Sequence, residues 1–291
     1  MAGKGGVGRS TLTAALGVAG AAAGKRMLVA EIGEPDGPYS PLARLFGRDN
    51  FPVEPVEVAD GVDGCVLYAR RGHQLFMEYV LPVRALAMAA MRSKALERML
   101  VAVPSFHEMG VYYHLLTLIR EVDGRRPYDC ILLDMPATGH ALALTGLPDV
   151  LLELMPVGPI AKAFREGQAY LNDPVYGGAL VVTLPEELPV TESLELMEGL
   201  RETRVPVAGV IVNKIMGDEF TDEEREAMLA LSERVPVYGR GRLVGAATAR
   251  DAVETLRRGA PQVDPVLVPE FATRGAALTA DIAASLAGGK A

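Results

Sequence analysis

Short apolar runs alternate along the chain with longer segments in which apolar residues return every three or four positions. The short runs predict strands over Arg26–Glu31, Asp129–Asp134, Ala179–Leu184, Val207–Asn213 and Val266–Val268. The longer segments predict helices over Ser10–Ala23, Glu108–Val122, Val190–Thr203 and Thr221–Glu233. Strands apolar on both faces, separated by helices, are the pattern of an α/β fold with a doubly wound, mostly parallel sheet. Two stretches break this rhythm. His73–Val103 is rich in Ala, Leu and Met, with Met77, Met88, Met91 and Met99, and reads as a helical insertion. Pro156–Gly178 is irregular, with Pro159, Asp173-Pro174 and Gly177-Gly178. The expectation is one domain over 1–291, with helical subdomain elements at about 73–122 and 156–178.

Composition narrows the function classes. A chain of 291 residues, 49% hydrophobic, can bury a large core. Its apolar residues are nevertheless broken by Arg, Glu and Pro, so no run approaches the ~20 residues of a membrane span. The opening residues lack the basic start and apolar run of a secretory signal, which points to a cytoplasmic protein with no integral membrane segment. A net charge of −8 opposes nucleic-acid binding, which needs clustered Lys and Arg. Cys65 and Cys130 stand far apart, neither in a CxxC pair, so neither a zinc site nor an iron-sulfur cluster is expected.

The strongest local signal is Gly3-Lys4-Gly5-Gly6-Val7-Gly8-Arg9-Ser10-Thr11. It matches the P-loop spacing G-x-x-x-x-G-K-[ST], with Arg9 in the lysine position. Glycines permit positive φ and close approach, so that successive backbone N–H groups can converge on phosphate oxygens where a helix begins. Ser10 is the expected Mg²⁺ ligand. Downstream, Tyr128-Asp129-Cys130-Ile131-Leu132-Leu133-Asp134 reads as a buried strand ending in an acid, and Asp134 is the second candidate at the metal. A P-loop normally follows a buried strand, yet only Met1 and Ala2 precede Gly3. The first strand therefore reads as truncated, either because the true start lies upstream or because the sheet has lost a central strand.

The loop, with its early Lys4, resembles the deviant Walker-A class of P-loop ATPases. Asp134-Met135-Pro136-Ala137-Thr138-Gly139-His140 is similar to the D-x-x-x-T-G-H switch of the arsenical-pump and tail-anchored-protein-targeting branch. Thr183-Leu184-Pro185-Glu186 and the strand ending at Asn213-Lys214 agree with that branch. The resemblance implies an ATP- or ADP-binding, Mg²⁺-dependent ATPase that works as a dimer. It implies that Lys4 reaches the partner's phosphates, that Asn213 reads the adenine edge, and that Pro269 and Glu270 lie beside the base. An ordinary turn residue is the other reading of Asn213.

Two departures touch catalysis. Guanidinium is a planar fork rather than a point charge, so Arg9 is not equivalent to lysine; the alternative is that Arg9 points to solvent and Lys4 supplies the charge. Relatives carry an aspartate that orients the attacking water in a D-P-x-x-x-x-x-D segment, and in Glu34-Pro35-Asp36-Gly37-Pro38-Tyr39-Ser40-Pro41 that place is Pro41. Asp36 is the nearby acid, out of register. Lys4, Arg9 and Asp36 are thus the catalytic candidates. Either a nucleotide-switched ATPase moving a protein partner or a weakened subunit paired with a more complete paralogue follows, with a membrane- or DNA-positioning switch as a third reading. Leu81–Val103 is the candidate surface for a hydrophobic client, or else a helix packed on the sheet.

Overall fold

A computed structural model describes residues 1–33, 40–81, 106–136, 138–154, 156–217, 220–235 and 238–288. Among these residues the strands are β1 (Met27–Ile32), β2 (Val56–Ala59), β3 (Val62–Leu67), β4 (Cys130–Asp134), β5 (Ala179–Thr183), β6 (Val207–Ile215) and β7 (Val266–Pro269). The helices are α1 (Arg9–Ala22), α2 (Pro41–Leu45), α3 (Ala69–Val80), α4 (Phe106–Ile119) and α5 (Thr138–Leu154). They continue as α6 (Pro159–Leu171), α7 (Glu187–Glu202), α8 (Asp222–Arg234), α9 (Arg240–Gly259) and α10 (Gly275–Ala287).

The strands pair as β2-β3-β1-β4 and β5-β6-β7, all parallel except β2 against β3. Met1 and Ala2 join the two sets. The Ala2 N–H donates to the Leu180 carbonyl at 2.9 Å, the Val182 N–H donates to the Ala2 carbonyl at 2.8 Å, and the Met135 N–H donates to the Met1 carbonyl at 3.2 Å. The Met1 ammonium donates to the Leu133 carbonyl at 2.7 Å. Met1 and Ala2 thus lie between β4 and β5, and a cavity of about 460 Å³ lined by β4, β5, α4 and α5 residues lies beside them.

Alternation along each strand divides the core. Met27, Val29, Val62 and Val66 pack against α1 and α2 on one face, where Val182, Ile211 and Val268 meet α1 and α10. Leu28, Ala30, Leu67, Val181, Val210 and Val212 face the opposite helical layer, including α4, α5, α7 and α9. This is the doubly wound α/β sheet expected from apolar strands buried on both sides.

Several expectations need correction. β2 and β3 escaped the pattern because their runs, Val-Glu-Val-Ala and Val-Asp-Gly-Cys-Val-Leu, carry acids and a glycine; Gly64 is required where a Cβ would meet the Phe51 ring at 2.8 Å. The stretch 156–178 is not irregular throughout, since α6 starts with Gly158 as N-cap and Pro159 at the first helical position. α5 runs through an internal Pro148, which had masked it. The segment after residue 73 belongs in part to α3, which follows β3 directly; Met88, Met91, Met99 and the remaining client-surface residues from 82 to 103 lie outside the described residues, as does Asp36. Among the described residues no helix is long and apolar enough to cross a membrane.

Candidate functional site

The glycine loop leaves the Met1-Ala2 pair and enters α1. Gly6 and Gly8 take φ of 85° and 94°, and Gly3 a φ of 152°, values at which side chains are strained. Two of these glycines are also needed for space: a Cβ on Gly3 would strike the Val182 carbonyl, and one on Gly8 would strike the Asn213 amide. Around Gly5 and Gly6 a Cβ would meet nothing within 4 Å, so the loop is open on that side. Gly8 is the N-cap of α1 and brings no side-chain cap. The first amides of α1 thus keep their donors for an anion, at the positive end of the helix dipole.

A cavity of about 500 Å³ opens on this loop. Gly6, Gly8, Arg9, Ser10 and Thr11 form its floor, Asn213, Lys214, Pro269 and Glu270 one wall, and Pro41 and Leu45 of α2 another. Segments far apart in the sequence are brought to one space because β6 and β7 end at the edge of the sheet where α1 begins. Asn213 is 4% exposed, and its Nδ2 donates to the Val7 carbonyl at 2.9 Å. That bond ties the loop to the end of β6 and fixes the orientation of the amide.

Of the two residues expected at the metal, Ser10 Oγ donates to Asp134 Oδ2 at 2.5 Å. Asp134 Oδ1 is buried and has no hydrogen-bond partner among the described residues. Burial raises the Asp134 carboxyl above its ordinary range, while Ser10, Arg9 and the Met1 ammonium pull it back. A buried carboxylate oxygen of this kind, beside a serine hydroxyl, fits a hydrated hard cation such as Mg²⁺.

Arg9 does not point to solvent. Its Nη1 donates to the Pro136 carbonyl, in the segment that follows Asp134. Burial lowers the Arg9 pKa from its ordinary value, and the charge of Asp134 opposes that shift. Lys4 turns away from the cavity and pairs with Glu192 of α7, whose second carboxylate oxygen is buried without a partner among the described residues. Val7 is fully packed, and Gly5 sits in the exposed part of the loop.

Sequence reasoning missed Glu31, Leu45, Phe271, Leu278 and Ile282. The last four are apolar, and only the tertiary fold brings them to the cavity. Glu31 did carry a signal, an acid next to the last residue of an otherwise apolar strand.

Comparison with known proteins agrees with the geometry. The family model described as anion-transporting ATPase, ArsA_ATPase, matches residues 1–166 and 157–234. The chain is 31% identical over 227 residues to "ATPase BagA" of Mycobacterium tuberculosis, covering 73% of this chain and 63% of that protein. It is 29% identical over 269 residues to a "Putative arsenical pump-driving ATPase" of Halobacterium salinarum, covering 81% of this chain and 39% of that one. An "ATPase ASNA1 homolog" of Entamoeba dispar is 23% identical over 256 residues, with 74% and 75% covered. The match thus spans under two thirds of the mycobacterial relative. Together, the glycine loop, the Ser10–Asp134 pair and these matches make the chain a member of the anion-transporting ATPase family.

Proposed function

We propose that the chain binds ATP or ADP with Mg²⁺ in the cavity above the glycine loop and works as a nucleotide-switched dimer on a protein partner. One observation carries this reading: the uncapped start of α1 lines a cavity of about 500 Å³ together with Ser10, whose hydroxyl is bonded to Asp134 behind it. The loop amides would hold phosphate oxygens, and Asn213, Pro269 and Glu270 would flank the base. Ser10 and Asp134 would hold Mg²⁺, which when bound supplies neutralisation of the charge that develops on the phosphates. Lys4, half exposed and paired with Glu192 among the described residues, could exchange that carboxylate for the phosphates of a partner subunit.

A second reading has its own support. Arg9 is engaged with the Pro136 carbonyl, and the α2 wall presents Pro41, which has no carboxylate to orient water. The chain is then a subunit that binds nucleotide and hydrolyses it slowly, paired with a paralogue that supplies the missing groups.

Calorimetric titration of ATP and ADP with and without Mg²⁺, run beside a turnover assay, tests both. Wild type is expected to bind both nucleotides. Arg9→Lys is expected to raise turnover by about tenfold or more if the guanidinium is what restrains it. Lys4→Ala is expected to leave binding in place and to abolish nucleotide-dependent dimers. Restoration of turnover on mixing with a paralogue would select the second reading. Absence of binding by either nucleotide at about 1 mM would remove the proposal altogether.

A further inference from the structure

Glu31 stands outside the phosphate loop and its metal pair, yet it touches both sides of the site. It stands next to the last residue of β1 as the register partner of Asp134 on β4, so the two side chains lie on the same face of neighbouring parallel strands. Both are buried, at 8% and 9% exposure. Glu31 Oε1 accepts from Ser40 Oγ, and Oε2 accepts from the Leu42 N–H at 3.3 Å. Ser40 Oγ in turn caps α2 by accepting from the Ala43 N–H at 3.0 Å. The residues held by Glu31 therefore flank Pro41, which forms the α2 wall of the nucleotide cavity with Leu45.

Two carboxylates side by side in a buried place repel unless a cation or donors compensate. Glu31 has its donors in Ser40 and Leu42. Asp134 has Ser10 on one oxygen, while its other oxygen is buried without a partner. That asymmetry separates their roles: Asp134 is left open for the cation's side of the site, and Glu31 is committed to α2.

We propose that Glu31 is a positioning residue that joins the start of α2, through Ser40 and Leu42, to the magnesium acid Asp134. A shift at the metal is thereby passed to the cavity wall at Pro41, the place at which relatives of this class carry a water-orienting aspartate. This rests on the nucleotide reading above, and the experiment keeps the two apart.

Nucleotide affinity is measured with and without Mg²⁺ for wild type, Glu31→Gln and Ser40→Ala, alongside hydrogen exchange of residues 40–45 in nucleotide-free protein. Glu31→Gln preserves shape but sets an amide N–H₂ or a weaker acceptor against Leu42. Ser40→Ala keeps the Glu31 charge and its Leu42 bond while removing the hydroxyl that joins Glu31 to the α2 cap, so it also serves if Glu31→Gln fails to fold. Both variants are expected to keep magnesium-free affinity within about twofold while the gain on adding Mg²⁺ falls by about tenfold, the size of a lost charge-assisted hydrogen bond. Faster exchange at Leu42 and Ala43 is expected in both. A wild-type magnesium response in Ser40→Ala would overturn the link, and so would equal loss of affinity with and without Mg²⁺, the mark of a merely structural role. A wild type that binds no nucleotide would sink the functional reading instead; unchanged exchange at residues 42 and 43 in the variants would sink the anchor by itself.

Discussion

His114 illustrates how a buried side chain can make stability depend on pH without any part in the site. It lies on α4 at 2% exposure, and its Nδ1 accepts the Tyr68 N–H at 3.3 Å, which requires the neutral ring. Burial, aided by the charge of Arg71 and opposed by Glu54, lowers its pKa to about 4. An unfolded chain titrates this group near 6.5, so below that pH the unfolded state binds more protons and the folded state loses stability. The contribution is full above about 6.5 and is lost as pH falls toward about 4, amounting to roughly 3 kcal/mol. Burial lowers His73 as well, in the same sense. Urea midpoints of wild type are expected to fall across this window and those of His114→Gln to fall less. Parallel pH curves for the two proteins would show that His114 is not responsible.

At the scale of elements, the parts of the site that were legible in the sequence are those whose chemistry is local. Gly3 to Thr11 encodes its own turn and helix start, and Asp134 ends a run of apolar residues, so spacing was enough to name them. Asn213 was legible because it closes a strand of the same kind. Glu31 and Glu192 were not, because their roles depend on strand register and on which helix lands beside the loop. The same limit hid β2, β3 and α5, whose acids, glycine and Pro148 are tolerated only through tertiary packing. A helix crossing shows the point in another form. Gly72 of α3 and Gly110 of α4 meet so closely that a Cβ on Gly72 would strike the Gly110 carbonyl, and one on Gly110 would lie 2.7 Å from His73 Nε2 and from the Ala69 carbonyl carbon. Backbone cannot yield cheaply there. Gly110→Ala is expected to destabilise by about 2 kcal/mol or more, against the usual helical preference for alanine. Gly146→Ala in α5, where a Cβ would make an ordinary 3.4 Å contact with Thr203, is expected to be neutral or stabilising by up to ~1 kcal/mol. Equal unfolding midpoints for the two variants would contradict the close crossing.

Across the whole molecule, two parallel half-sheets meet at Met1 and Ala2, and the glycine loop hangs from that seam. The backbone bonds that cross it run from Ala2 to Leu180 and Val182 on one side and from Met1 to Met135 on the other. Adding ATP or ADP with Mg²⁺ is expected to slow exchange on both sides of the seam together, because a ligand that binds only the folded site stabilises everything the site requires. Protection confined to one half-sheet would show that the loop belongs to that half alone.

The pairing of Ala2 with Val181 also orders events in time. The ribosome makes the glycine loop long before β4, and β5 follows later still. Until both have emerged, the loop has no walls, and Asn213, which holds Val7, comes after them. Contacts so distant in sequence form late, since closing the intervening chain must precede any gain from the contact. A nascent or prematurely ended chain would thus carry the whole P-loop sequence and still be unable to grip phosphate. On the proposed reading, nucleotide binding would be an index that synthesis has passed β6 and the sheet has closed.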